Sequence, residues 1–219
     1  MASVNAEVTS TRHRRPRRAG LLPGLLVVAF IAAAGFDTAV VSVGSEADHR
    51  QAAFDPAVFA DEHFPQIRSY IIDNAVEARV LSEAINADSA AAASRYGVSA
   101  GIGAVIPISF TGTVGKGSNG VFSVSVEGMP AGRSIRVQTG PAITGTDLRD
   151  ATGTIRFGQF TNQIEYQDVG SAINDVVKSE VLEGLDRESL PGRQITAIGV
   201  FRLINPDNWF VTPVALEAQ

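Results

Sequence analysis

The apolar period of this chain changes at Gly97, and few folds accommodate what lies on its two sides. Before it, Ile67, Ile71, Ala75 or Ala78, Leu81 and Ile85 recur every three to four residues, which predicts an amphipathic helix over 66–86. Asp88 or Ser89 can cap a second short helix through the alanines 90–93, with Gly97 placed to end it. Beyond Gly97 the period is two. Ile106, Ile108, Phe110, Gly112 and Val114 share one face of a strand, Phe122, Val124 and Val126 one face of the next, and Ile135, Val137 and Thr139 make a third. A glycine-rich loop over 140–153 and an extended stretch over 154–160 follow. Asp168 then begins a helical pattern through Val169, Ala172, Ile173, Val176, Val177 and Val181 to Gly184. Strands over 194–204 and 209–216 close the chain around the turn Asn205-Pro206-Asp207-Asn208. This order predicts a mainly β, α+β fold, an OB-like barrel of five to six strands with a helix between the third and fourth main strands. A small β-sandwich, or an α+β sheet with one face covered by helices, fits the same order.

Charge divides the chain further. Residues 1–11 are small and polar and are expected to be disordered. Arg12-His13-Arg14-Arg15-Pro16-Arg17-Arg18 then abuts an uncharged, largely apolar run over 19–36. A basic flank before an apolar stretch reads as a membrane segment with a cytoplasmic N-terminus. The expected organisation is a basic tail at 1–18, a transmembrane signal anchor at 19–42, a linker and helical segment at 43–96, and the β domain at 97–219. The product is a single-pass membrane protein with its C-terminal domain outside the cytoplasm. Ala32-Ala33-Ala34 before Gly35 offers a cleavage site, so a signal peptide is the competing reading. Residues 45–65 contain Pro56 and Pro65 and read as a linker, which Phe54, Val58, Phe59 and Phe64 should pack down. Residues 37–219 hold 13 basic and 22 acidic groups, a net of −9, which disfavours a nucleic-acid partner because phosphate binding needs a basic face. There is no cysteine, so disulfides, thiolate nucleophiles and Cys-ligated zinc are excluded.

The densest chemistry lies in the 140–153 loop, where Asp147, Arg149 and Asp150 stand amid glycines and a proline. With Asn162, Gln163 and Tyr166 they offer planar, hydrogen-bonding groups suited to a hydroxylated ligand or a partner's backbone. The plainer reading is that Arg149 neutralises its acidic neighbours, Asn162 and Gln163 satisfy backbone groups, and Tyr166 packs in the core. His13, His49 and His63 all precede the β domain, so a Ser-His-Asp triad or His-rich metal site within it is excluded. Neither metal nor cofactor is expected. Glycoside chemistry needs only paired carboxylates, for which Asp147, Asp150, Glu165 and Asp168 are candidates, but a non-enzymatic binding role fits better. A third reading has the acidic segment 37–96 meet a partner protein. Gly115-Lys116-Gly117-Ser118-Asn119-Gly120 matches the dinucleotide fingerprint, yet it joins strand to strand and reads as a hairpin.

The stretch from Gly140 to Ala151, the run Phe157-Gly158-Gln159-Phe160-Thr161-Asn162-Gln163-Ile164-Glu165-Tyr166, Phe201, and Val211-Thr212-Pro213-Val214 together resemble an uncharacterised bacterial family of predicted periplasmic lipoproteins. The likeness covers roughly residue 54 to the C-terminus. It implies an extracytoplasmic location, an OB-like barrel, and a setting beside sugar ABC-transporter or solute-binding components. It implies no activity. The chain departs from the lipoprotein pattern in having no Cys after its apolar run, so a retained anchor would have to be the helix itself.

Overall fold

The computed structural model describes residues 54–219, and Phe54–Gln219 form one compact unit. The expected tail, anchor and signal peptide at 1–42 lie outside the described residues. Among the described residues no helix is long and apolar enough to cross a membrane.

Five strands close into a ring. They are β3 (Ala104–Ser118), β4 (Val121–Ser125), β5 (Ser134–Gln138), β6 (Gln194–Leu203) and β7 (Asn208–Ala218). The ring runs β3-β4-β5-β7-β6 and returns through a long antiparallel β3–β6 pairing, with β5 and β7 parallel. With a helix, α5 (Gln163–Glu180), between the third and fourth barrel strands, this is the OB-type arrangement that the element order predicts. The period-two reading holds for the first barrel strand, while Val126 and Thr139, expected on the next two, fall just beyond β4 and β5. Ile106, Ile108, Phe110 and Val114 all point into the barrel core, while Val105 points outward. Residues 115–118, expected in a loop, instead prolong β3, and the turn contracts to Asn119-Gly120, both at positive φ (53° and 74°). That is the twist-matching geometry of a tight hairpin. A side chain at Gly120 would also collide with the Gly140 carbonyl, whose oxygen lies 1.5 Å from the Cβ position.

The helices differ more from expectation. The predicted helix over 66–86 is two, α1 (Pro56–Asn74) and α2 (Ala78–Ala87). Between them Val76–Glu77 form β1, a parallel bridge to Ile108 and Ser109 on an edge of β3 that β4 leaves uncovered. The Glu77 carboxylate then caps α2 through the Arg79 and Val80 N–H groups. The helix start also falls inside the expected linker. Asp55 caps it through Ala57 N–H, and Pro56 takes the first position, where no N–H is needed. Of the linker's apolar residues, Phe64 is buried and Phe59 packs beside it, whereas Val58 is exposed. Helix α3 (Ser89–Tyr96) is capped by Asp88 as expected, and β2 (Val98–Ser99) covers the start of β3. Residues 154–160 form no strand. They turn through a single 3-10 turn at Phe157–Gln159, closed by Gln159 Oε1 accepting from Arg156 N–H.

Two cores result. Inside the barrel, Phe201 and Trp209 stack at 4.8 Å, and Ala78, Leu81, Ile85 and Ala92 of α2 and α3 join them. Outside it, α1 and α5 lie together over Val105, Val200 and Val214, with Phe64, Ile67, Ile71, Val169, Ile173 and Val177 buried between. The described part of the 43–96 segment thus shares both cores with the β domain.

Candidate functional site

The 140–153 loop is ordered by its surroundings. Gln138 at the end of β5 is 1% exposed and holds Thr144 in both directions, its Nε2 donating to the Thr144 carbonyl (3.1 Å) and its Oε1 accepting from Thr144 N–H (2.9 Å). Asn174 of α5 donates to the Gly145 carbonyl at 2.9 Å. Between the left-handed Gly145 and Gly153, residues Asp147–Asp150 make a single helical turn, α4, where loop was expected. Leu148 sinks into the outer core and fixes which way the charged residues face.

They face a fourth charged residue. Arg202, on the outward face of β6, donates through Nε to Asp147 (2.9 Å) and through Nη2 to Asp150 (2.7 Å), and its Nη1 meets the Ala100 carbonyl. Arg149 donates through Nε to the other Asp150 oxygen (2.9 Å) and through Nη1 to the Tyr166 carbonyl (2.9 Å), and its guanidinium lies 3.6 Å from the centre of the Tyr166 ring. Thr146 Oγ1 donates to Asp150 at 2.9 Å. The side chains are 6% exposed at Arg149, 11% at Asp150 and 16% at Asp147 and Arg202, so this is a largely desolvated network and not a surface pair.

The two carboxylates are held differently. Burial pushes both upward. At Asp150 the hydrogen bonds from Arg149 and Arg202 outweigh it and hold the group below its ordinary value of 3.8. At Asp147 burial prevails over Arg202, which reaches one oxygen only, and the group rises. The Arg202 guanidinium, which burial alone would lower, is raised by hydrogen bonds and charge from Asp150 and Asp147. A group lowered on folding stabilises the fold above its unfolded pKa and loses that contribution as pH falls through the folded value. Asp147 contributes with the opposite sign. We therefore expect the stability difference between wild type and Asp150→Asn to shrink as pH falls below 3.8, measured by urea unfolding across the acid range. A difference that stays constant would show that Asp150 does not titrate as described.

Of the six residues expected at the site, Asp147, Arg149, Asp150 and Tyr166 come together. Asn162 and Gln163 do not. Asn162 is the N-cap of α5, its Oδ1 accepting from Glu165 N–H at 3.0 Å, and Gln163 is exposed in the first turn. The helix starts here and not at Asp168 because Asn162 caps it and Glu165 turns back over the start, accepting from Thr161 N–H at 2.9 Å and from Asn162 Nδ2 at 3.2 Å. The sequence reading missed Arg202. Its signal was present, since an arginine between buried Phe201 and Leu203 sits on the face shared with Val200, where α1 and α5 pack. Of the carboxylates considered for glycoside chemistry, both loop aspartates are engaged by arginine. Among the described residues no group of His, Asp and Glu is placed to hold a metal ion.

Beside the network lies an open groove of about 660 Å³. Residues 98–101 line it together with Arg149 and Asp150 of the network, Thr152, Gly153, Ile155 and Arg156, and the aromatic Phe157 and Tyr166. Phe157 is 52% exposed and meets the Tyr166 ring edge-on at 5.8 Å.

A family model described as "Predicted periplasmic lipoprotein (DUF2291)" matches residues 26–217. The chain belongs to this family. The family's description puts the protein outside the cytoplasm and at the membrane, and gives it no activity. Its lipoprotein character is not carried by this sequence, which has no cysteine to bear a lipid. The fold is similar to that of an OB-fold protein from Thermotoga maritima, known from a crystal structure. The two share 19% identity and a TM-score of 0.60, over 77% of this chain and all of the other. At that identity the likeness speaks for the fold alone. No curated protein matches the chain.

Proposed function

We propose that this member of the predicted periplasmic lipoprotein family is a non-enzymatic accessory binding protein, anchored at the membrane and taking a hydroxylated small molecule in the groove beside Arg149. One observation carries the reading. The groove is of ligand size and sets the aromatic Tyr166 and Phe157 against polar groups, which is how pyranose rings are commonly cradled. The buried charges beside it are already paired, so they shape the site without demanding protons from a substrate, and this supports binding over carboxylate catalysis. Sugar ABC-transporter components as working partners rest on the family resemblance alone.

A second reading, a partner-binding subunit without a small ligand, is favoured by the apolar Ile102, Ile164 and Phe157, exposed at 80%, 72% and 52%. Titration of the detergent-solubilised protein with neutral mono- and disaccharides separates the two. Saturable binding, weakened roughly tenfold or more by Phe157→Ala through loss of the stacking rim, is the expected result. No saturable binding of any sugar would turn the assignment to the partner-binding reading.

A further inference from the structure

The Arg149 side chain is almost completely enclosed, yet one of its nitrogens is unused. Its Nε and Nη1 are taken by Asp150 and the Tyr166 carbonyl, while Nη2 has no hydrogen-bond partner among the described residues. Arg133 offers a contrast. Its Nε is sealed in the interior and is, among the described residues, the one buried side-chain nitrogen or oxygen left without a partner, whereas Arg149 lines the groove. An unpartnered guanidinium nitrogen on a residue that lines a groove, yet is only 5% exposed, is poised for an acceptor that enters from solvent.

A second guanidinium stands at the same groove. Arg156 uses Nε on the Gly153 carbonyl at 3.2 Å, and its two terminal nitrogens have no partner among the described residues. Asp150 cannot compete for these groups, because its two oxygens already accept from Arg149, Arg202 and Thr146. Arg149, Arg202, Asp147 and Asp150 cancel in charge, which leaves Arg156 as an uncompensated positive group among the groove's lining residues. In a chain whose formal net charge is −5, that is a local reversal of sign.

We infer that the groove recognises an anionic sugar derivative, its carboxylate received by Arg149 Nη2 and Arg156 and its ring set against Tyr166 and Phe157. This deepens the binding function proposed above and rests on it. A carboxylate is favoured over a phosphate dianion because Arg149 offers a single free nitrogen and Arg156 one guanidinium, a donor set that matches a planar monoanion.

The test uses the full chain in detergent, titrated calorimetrically with glucuronate and galacturonate, with glucose and galactose, with glucose 6-phosphate, and with acetate. The uronates should bind at least about tenfold more tightly than the neutral sugars and should weaken as salt is raised. Arg156→Gln should remove that preference with an unchanged thermal midpoint, because Arg156 is exposed. Uronates and neutral sugars binding alike, with Arg156→Gln silent, would overturn the anion site and leave the sugar-binding function standing. Tighter binding of glucose 6-phosphate would overturn the carboxylate assignment. Acetate as tight as a uronate would show that the ring takes no part, against the inference. Binding of none of these would remove both the inference and the function beneath it.

Discussion

Arg202→Ala should cost the fold about 3–5 kcal/mol, because it leaves two desolvated carboxylates with too few donors. Arg202 is the sole charged partner of Asp147 within salt-bridge distance among the described residues and one of two for Asp150. Its loss also frees the carbonyl of Ala100, one wall of the groove. The measurement is urea unfolding of a soluble fragment spanning residues 54–219. Neutralising a stranded acid in the same chain should restore part of the loss, so Arg202→Ala with Asp147→Asn should be less destabilised than the two single changes summed. Arg149→Ala should fall in the same range, since Arg149 is as enclosed and also loses its stacking on Tyr166. A cost under about 1 kcal/mol at both arginines would show the network to be screened like an ordinary surface pair.

Trp209→Ala should be comparably damaging, at about 3–5 kcal/mol. Trp209 is fully buried, stacks on Phe201 at 4.8 Å, and donates from its indole nitrogen to the Pro206 carbonyl at 2.8 Å. Its ring also lies 5.2 Å from the Arg133 guanidinium, which ties Ser82 and Asn86 of α2 to Asp207 in the β6–β7 turn. Removing the ring therefore opens a cavity where α2 closes the barrel and uncovers an arginine with an unsatisfied nitrogen. Trp209→Phe keeps most of the ring volume and should cost far less, chiefly the lost hydrogen bond of about 0.5–1.5 kcal/mol. Trp209 is the single tryptophan, so unfolding of both variants is followed by circular dichroism. A loss below about 2 kcal/mol for the alanine change would mean that α2 and the barrel collapse to fill the space.

The barrel was legible because alternation is a local property. Once Ile106, Ile108 and Phe110 must share a face, the strand, its inner side and its place in the order follow from the chain alone. The Asp88 cap and the Asn205–Asn208 turn were legible for the same reason, since each is satisfied by residues within a few positions of itself. The loop at 140–153 could be recognised as the densest chemistry, and its Asp147, Arg149 and Asp150 do converge with Tyr166.

What the tertiary structure decided depends on distant partners. The expected single helix over 66–86 breaks at Val76 because the open edge of β3, some 30 residues on, accepts those two residues as a bridge. The helix between the third and fourth barrel strands belongs to the outer core with α1, while α2 and α3 take the inner one. That choice depends on which apolar faces meet and not on any single period. In the plainer reading of the sequence, Arg149 neutralises both of its acidic neighbours. It pairs with Asp150 alone, while Arg202, 55 residues beyond Asp147, pairs with both aspartates. Local periodicity and capping thus determined the barrel strands and their order. The ion pairing, the groove beside it and the burial that gives both their chemistry were set only when β6 came to lie under α4.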